Sequence, residues 1–331
     1  MSGGADARRR PAAGDADWRR LAARLRERDL AAAAAALNLV ESRTPDDRAQ
    51  AGELLAALSP AALGTEAPAH VVGITGPPGV GKSSLLARLV SEWRSREQSV
   101  AVLAVDPTSR RSGGSLLGDR ARIDVDPGDP QIFVRSTAAG NRLGGLAPAT
   151  RAAASTLAVA FDVVVIETVG IGQSETEVAD IVDTVAVVVQ PGSGDVLQFL
   201  KAGVMEIPDV IVVTKADLGQ VAVRAIRDLH AALRSLGSGD TAVVSVSSVA
   251  PPSGISELVD ELDAHRAGLD LGARRLRARR MHALANFVAE YGERGLRAVG
   301  GRREAKKWLA EQDPGLDVPA LERLLESRGK G

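Results

Sequence analysis

The chain has 331 residues, 45% of them hydrophobic and 25% charged, with 41 basic against 42 acidic side chains. That balance describes a globular protein of about two domains whose core needs neither disulfides nor a structural metal. A net charge of −1 argues against bulk attraction to nucleic acid or anionic membrane. Cys is absent, which removes thiolate metal sites, disulfide frameworks and cysteine nucleophiles together.

The basic residues are mostly arginine; the lysines are Lys82, Lys201, Lys215, Lys306, Lys307 and Lys330. A compact ammonium and a planar guanidinium are not interchangeable, so the positions that kept lysine merit attention. The start contains Arg8, Arg9 and Arg10 without a following apolar run, so no secretory signal is expected. No apolar stretch approaches the roughly 20 residues of a membrane helix. The expected location is therefore cytoplasmic, with neither membrane nor nucleic acid as partner.

In chain order, three textures follow one another. Residues 1–67 read as a helical extension with about the first 14 residues disordered, because 15–63 are rich in Ala, Leu, Arg and Glu without β-branched clusters. From 68 to 266, Val/Ile-rich runs at 70–75, 99–105, 131–134, 162–166, 184–190, 209–214 and 241–246 alternate with helical stretches. Near-continuous apolar strands joined by helical crossovers predict an α/β domain, a mainly parallel sheet covered by helices on both faces. Residues 267–331 return to a helical pattern, with a helix expected over 283–290 and the charged run 274–280 expected on a solvated face.

The first chemistry-bearing motif is Gly76-Pro77-Pro78-Gly79-Val80-Gly81-Lys82-Ser83, with Ser84 adjoining it, between an apolar strand and an amphipathic helix. This is the phosphate-binding P-loop pattern in its required context. Glycines let backbone N–H groups curl around phosphates, the helix N-terminus adds its positive end, Lys82 reaches the β- and γ-phosphates and the Ser83 hydroxyl ligates Mg2+. A second strand ends in Thr214-Lys215-Ala216-Asp217, which looks like the guanine-recognition loop of GTPases, usually Asn-Lys-x-Asp. There the Asp carboxylate accepts from guanine N1 and the 2-amino group, a donor pair that adenine lacks. Thr214 stands where Asn is usual, and with it guanine affinity or selectivity is expected to be weaker. Between these motifs, the strand 162–166 runs into Glu167, placed to hold Mg2+ through water, and Gly170, whose N–H is placed to sense the γ-phosphate.

Glu167-Thr168-Val169-Gly170-Ile171-Gly172-Gln173-Ser174-Glu175, with 105–109, 113–119, 143–146, 190–195 and 37–42, resembles the MeaB/ArgK family of G3E-type P-loop GTPases associated with methylmalonyl-CoA mutase. The likeness covers roughly residues 25 to 300. It implies that Asp106 and Asp119 lie near Mg2+ in a first switch, that Lys201 belongs to a third switch signalling to the partner, and that Ser248, Val249 and Ala250 give backbone contacts to guanine O6. It further implies a GTP/GDP- and Mg2+-dependent chaperone of adenosylcobalamin-dependent methylmalonyl-CoA mutase, and a homodimer built by the C-terminal extension. Two departures stand in the loops: Arg110-Arg111, where the family more often has Pro and an apolar residue, and Gly140-Asn141, where Arg-Gly is common. Slow unassisted hydrolysis is expected, because Ile171 rather than a glutamine follows Gly170. The alternatives are a nickel- or cobalt-delivery GTPase, disfavoured by the lack of Cys and by dispersed His70, His230, His265 and His282, and an ATP-using kinase of the ArgK type, for which no acceptor site is evident.

Overall fold

The structure, a computed structural model, describes residues 17–42, 44–106, 123–138, 148–168, 178–192 and 208–330. Among the described residues, seven strands, β1 (His70–Thr75), β2 (Val100–Asp106), β3 (Ile132–Ala138), β4 (Val163–Thr168), β5 (Thr184–Val189), β6 (Val210–Val213) and β7 (Ala242–Ser245), form one sheet in the order β3-β2-β4-β1-β5-β6-β7. Every pairing is parallel, as expected from strands whose side chains are apolar on both faces. Consecutive side chains alternate between the two layers. Val71, Leu103, Val164, Val187 and Ile211 enter one core, while Val72, Val102, Val165, Val188 and Val212 enter the other.

The first core is covered by the N-terminal helices α1 (Trp18–Arg26), α2 (Ala33–Glu41) and α3 (Pro45–Ala57), the short α4 (Pro60–Leu63) beside them, and by α6 (Pro148–Leu157) and α7 (Gln220–Ser235). The opposite face is covered by α5 (Lys82–Ser95) and α8 (Ile255–Ala267). In α5 the residues Leu85, Leu86, Leu89, Val90 and Trp93 are all buried, an i, i+1, i+4, i+5, i+8 stripe that fixes this helix, and hence the loop before it, against the sheet. Among the described residues, no helix is long and apolar enough to cross a membrane.

The C-terminal region is more extensively helical than its sequence pattern indicated. Helix α9 runs over Leu271–Ala298 with a non-helical Gly292 inside it, followed by α10 (Gly301–Ala310) and α11 (Val318–Lys330). These pack on each other through Leu284, Phe287, Leu296, Val299, Leu309, Leu321 and Leu325. They also touch the N-terminal helices, where the Ala61 N–H donates to the Gly315 carbonyl at 3.0 Å.

The run 274–280 does not form the solvated face expected of it. Arg275 donates to both Asp183 carboxylate oxygens and to the Ala67 and Ala69 carbonyls, at 2.6–2.8 Å. Arg274 reaches Val182 O and Asp209, Arg279 forks onto Glu66, and Arg280 binds the Ala310 and Gln312 carbonyls. These contacts tie α9 to the segment just before β1 and to the starts of β5 and β6. Beside them, Thr184 Oγ1 lies 2.8 Å from His70 Nε2 and 2.9 Å from His265 Nδ1. Burial of His70 pulls its imidazole below the usual histidine range. Asp209 is pushed up by burial but held below the ordinary carboxylate value by His265, the Val185 N–H and Arg274.

Candidate nucleotide site

The site lies along the carboxyl edge of the sheet, where the chain runs from β1 to β2 on one side and crosses from β4 to β5 on the other; this is where open α/β sheets place ligands. β1 delivers its chain directly into residues 76–81, and α5 starts at Lys82 with Gly81 as N-cap at φ 97°. Gly76 is required by geometry: its φ is 144°, and a Cβ there would stand 2.2 Å from the Val188 carbonyl oxygen of β5. Lys82 is buried at 7% exposure, and its ammonium donates to the Gly76 and Pro77 carbonyls at 2.7 and 3.0 Å. The side chain thus folds back over the loop it belongs to, with its charge over the concavity that the loop encloses.

On one side of this loop, Ser83 and Glu167 converge. The Ser83 hydroxyl donates to Glu167 Oε1 at 3.1 Å, and β4 carries Glu167 because its register sets it beside Ile74 of β1. One residue further, the buried Thr168 hydroxyl donates to the Thr75 hydroxyl at 2.8 Å, locking the strand ends on which Glu167 and the P-loop sit. Two oxygen donors of hard character fit Mg2+, which keeps several waters and takes one or two protein ligands together with substrate phosphate. The backbone of Asp106 ends β2, beside β4 on its outer side. Asp119, Gly170 and Lys201 lie outside the described residues, as do both loop departures at 110–111 and 140–141.

On the other side, β6 leads into the Thr214–Asp217 loop and β7 into residues 246–253. Thr214 is buried at 4% exposure, and its hydroxyl lies 2.7 Å from the Val80 carbonyl of the P-loop and 3.0 Å from the Val189 carbonyl. The hydroxyl therefore ties this loop to the P-loop. Lys215 takes a left-handed φ of 56° and donates to the Gln190 side chain. The Ala216 N–H donates to Val246 O at 3.0 Å. Asp217 is exposed, with Oδ1 accepting from the Ser247 hydroxyl at 2.8 Å.

Ser247 was missed from the sequence, which pointed instead to the three residues after it. It is buried and held by a reciprocal backbone pair with Ser253 at 3.0 and 3.1 Å. In the adjoining turn the Val249 N–H donates to Ser247 Oγ at 3.2 Å, the Ser248 carbonyl accepts from Arg88 of α5, and Ala250 precedes Pro251. Strand order thus places Glu167 at β4, the 76–81 loop at β1 and the 214–217 and 247–250 segments at β6 and β7, in line along one edge.

The model of the family described as methylmalonyl Co-A mutase-associated GTPase MeaB matches residues 33–296. A probable GTPase of Mycobacterium tuberculosis is 43% identical over 267 residues, covering 78% of each chain. A mitochondrial methylmalonic aciduria type A homolog of Caenorhabditis elegans is 42% identical over 195 residues, 56% of this chain and 49% of that protein. The crystal structure of a LAO/AO transport system kinase superposes with a TM-score of 0.61 at 28% identity, over 91% of this chain and 98% of the other.

Proposed function

Because the chain belongs to the MeaB family of methylmalonyl-CoA mutase-associated GTPases, we propose that it is a Mg2+-dependent nucleotide switch serving as chaperone to adenosylcobalamin-dependent methylmalonyl-CoA mutase, gating cofactor loading and protecting or reactivating that enzyme. The observation that carries the reading is the linear arrangement of Glu167 and Ser83, the loop 76–81, and the Thr214–Asp217 loop along one sheet edge.

In this reading Pro77 and Pro78 shape the loop, the N–H groups of Gly79 to Ser84 cradle the phosphates, and Lys82 leaves the Gly76 and Pro77 carbonyls to neutralise the β- and γ-phosphates. Ser83, Glu167, Asp106 and Asp119 hold Mg2+, which when bound offsets the charge developing on the phosphates during transfer. Asp217 selects guanine through N1–H and the 2-amino group, held in place by Ser247. Gly170 and Lys201 report the state of the γ-phosphate to the partner. The C-terminal helices pair two copies of the chain.

Unassisted turnover is slow, on the scale of about 10⁻⁴ per second known for Ras-like GTPases without an activator. Cognate mutase raises it by ordering the switch segments. The test is GTP turnover by the purified chain with and without mutase, and with and without adenosylcobalamin. A rate that ignores the mutase refutes the mechanism.

A further inference from the structure

We propose that Thr214 leaves the base site unable to read N7 of guanine, so that guanine nucleotides lacking that acceptor are ligands equal to the natural ones. This rests on the guanine-nucleotide reading above and adds to it which acceptor of the base goes unread.

Guanine presents two chemically distinct edges. One carries the N1–H and 2-amino donors and calls for an acceptor; the other carries the O6 and N7 acceptors and calls for donors. Asp217, a carboxylate at the open end of the loop, is an acceptor and takes the first edge. The five-membered ring bearing N7 is joined to the ribose and so lies on the side of the base nearer the phosphates. On the protein that side is the one where the base loop meets the phosphate loop, and the residue at this junction is Thr214, bonded to Val80 of the P-loop.

A threonine hydroxyl has a single hydrogen. In Thr214 that hydrogen faces two backbone carbonyl oxygens, Val80 O at 2.7 Å and Val189 O at 3.0 Å, in a setting of 4% exposure. Turning it toward a base would take this partner from the buried Val80 carbonyl, which is unfavourable, while Val189 O would keep the Thr214 N–H at 2.9 Å. Two neighbouring backbone donors are committed as well, the Thr214 N–H to Val189 O and the Ala216 N–H to Val246 O. An asparagine amide has two N–H donors and can hold a carbonyl and an N7 at once. Threonine supplies the tie between the loops without the second donor. Selectivity against adenine is retained, because it comes from Asp217.

The experiment uses the full chain and equilibrium competition against N-methylanthraniloyl-GDP with GDP, 7-deaza-GDP and ADP. Native protein is expected to bind GDP and 7-deaza-GDP within about twofold of each other. Thr214→Asn gains the missing donor and comes to prefer GDP over 7-deaza-GDP by about fivefold, the effect of one ordinary hydrogen bond. Thr214→Ser keeps the hydroxyl tie and the indifference. Thr214→Val loses the tie and weakens both guanine ligands by the same factor, with urea unfolding of each variant confirming an intact fold. The proposal is overturned if native protein discriminates fivefold or more against 7-deaza-GDP, or if Thr214→Asn gains no discrimination. ADP competing as well as GDP would instead overturn the guanine reading itself, whatever the 7-deaza ratio.

Discussion

Replacing Arg275 by Met tests whether the C-terminal helices are fastened to the nucleotide domain by this one side chain. Asp183 has 2% and Arg275 14% of its side chain exposed, so both ends of the pair are out of water. The guanidinium makes four hydrogen bonds, two to Asp183 at 2.6 and 2.8 Å and two to the Ala67 and Ala69 carbonyls at 2.6 and 2.7 Å. Without it, the Asp183 carboxylate keeps the Val71 N–H at 2.9 Å but loses its charged partner. Removing one member of a buried pair costs about 3–5 kcal/mol, because an uncompensated charge stays behind. Restoring apolar balance with Asp183→Leu in the same chain should recover much of that loss. Lysine at 275 is expected to fall between, since one ammonium cannot fork onto both carboxylate oxygens while also reaching two carbonyls. Urea unfolding at pH 7 provides the readout. If Arg275→Met shifts the unfolding free energy by less than about 1 kcal/mol, the arginine is not a fastener.

The remaining predictions concern acid stability and the base loop. Burial, helped by the charge of Arg151, lowers His282 from 6.5 to about 3. The unfolded chain therefore takes up a proton that the folded chain refuses between those values. Stability is full above about pH 6.5 and declines toward pH 3 by at most about 1.4 kcal/mol per pH unit from this residue. His70 adds to the loss in the same direction. A His282→Gln variant should show a shallower fall in urea midpoint between pH 7 and pH 5 than the native chain; an equally steep fall would show that His282 is not responsible. Ser247→Ala removes the hydroxyl that holds Asp217 and should weaken GDP binding about tenfold, as expected for a hydrogen bond to a charged acceptor. Unchanged GDP affinity in that variant would mean that Asp217 needs no such support.

What the sequence made legible divides along a physical line. The inner strands are readable because a sheet buried on both faces demands uninterrupted Val and Ile, and 70–75 is found as β1 at the same bounds, whereas the edge strand β3 continues past the expected end at 134 through Arg135, Ser136 and Thr137 to Ala138. The phosphate loop was readable because its glycines answer a local backbone requirement, as the 2.2 Å approach of Val188 to Gly76 makes plain. Long-range partners were not readable. The arginines from 274 to 280 resemble any solvated helix face until β1 and β5 bring Ala67, Ala69 and Asp183 beneath them. Ser247 is one serine among several until its pairing with Ser253 turns it toward Asp217, thirty residues away in the chain. Thr214 is the most instructive position, because it read as a missing asparagine. In the fold it stands as a different solution to half of the same problem, keeping the inter-loop tie while giving up a donor. A residue type reports what a side chain is able to offer; only the fold reports which of its hydrogens are already taken, and at this site that decides whether N7 of a base is recognised.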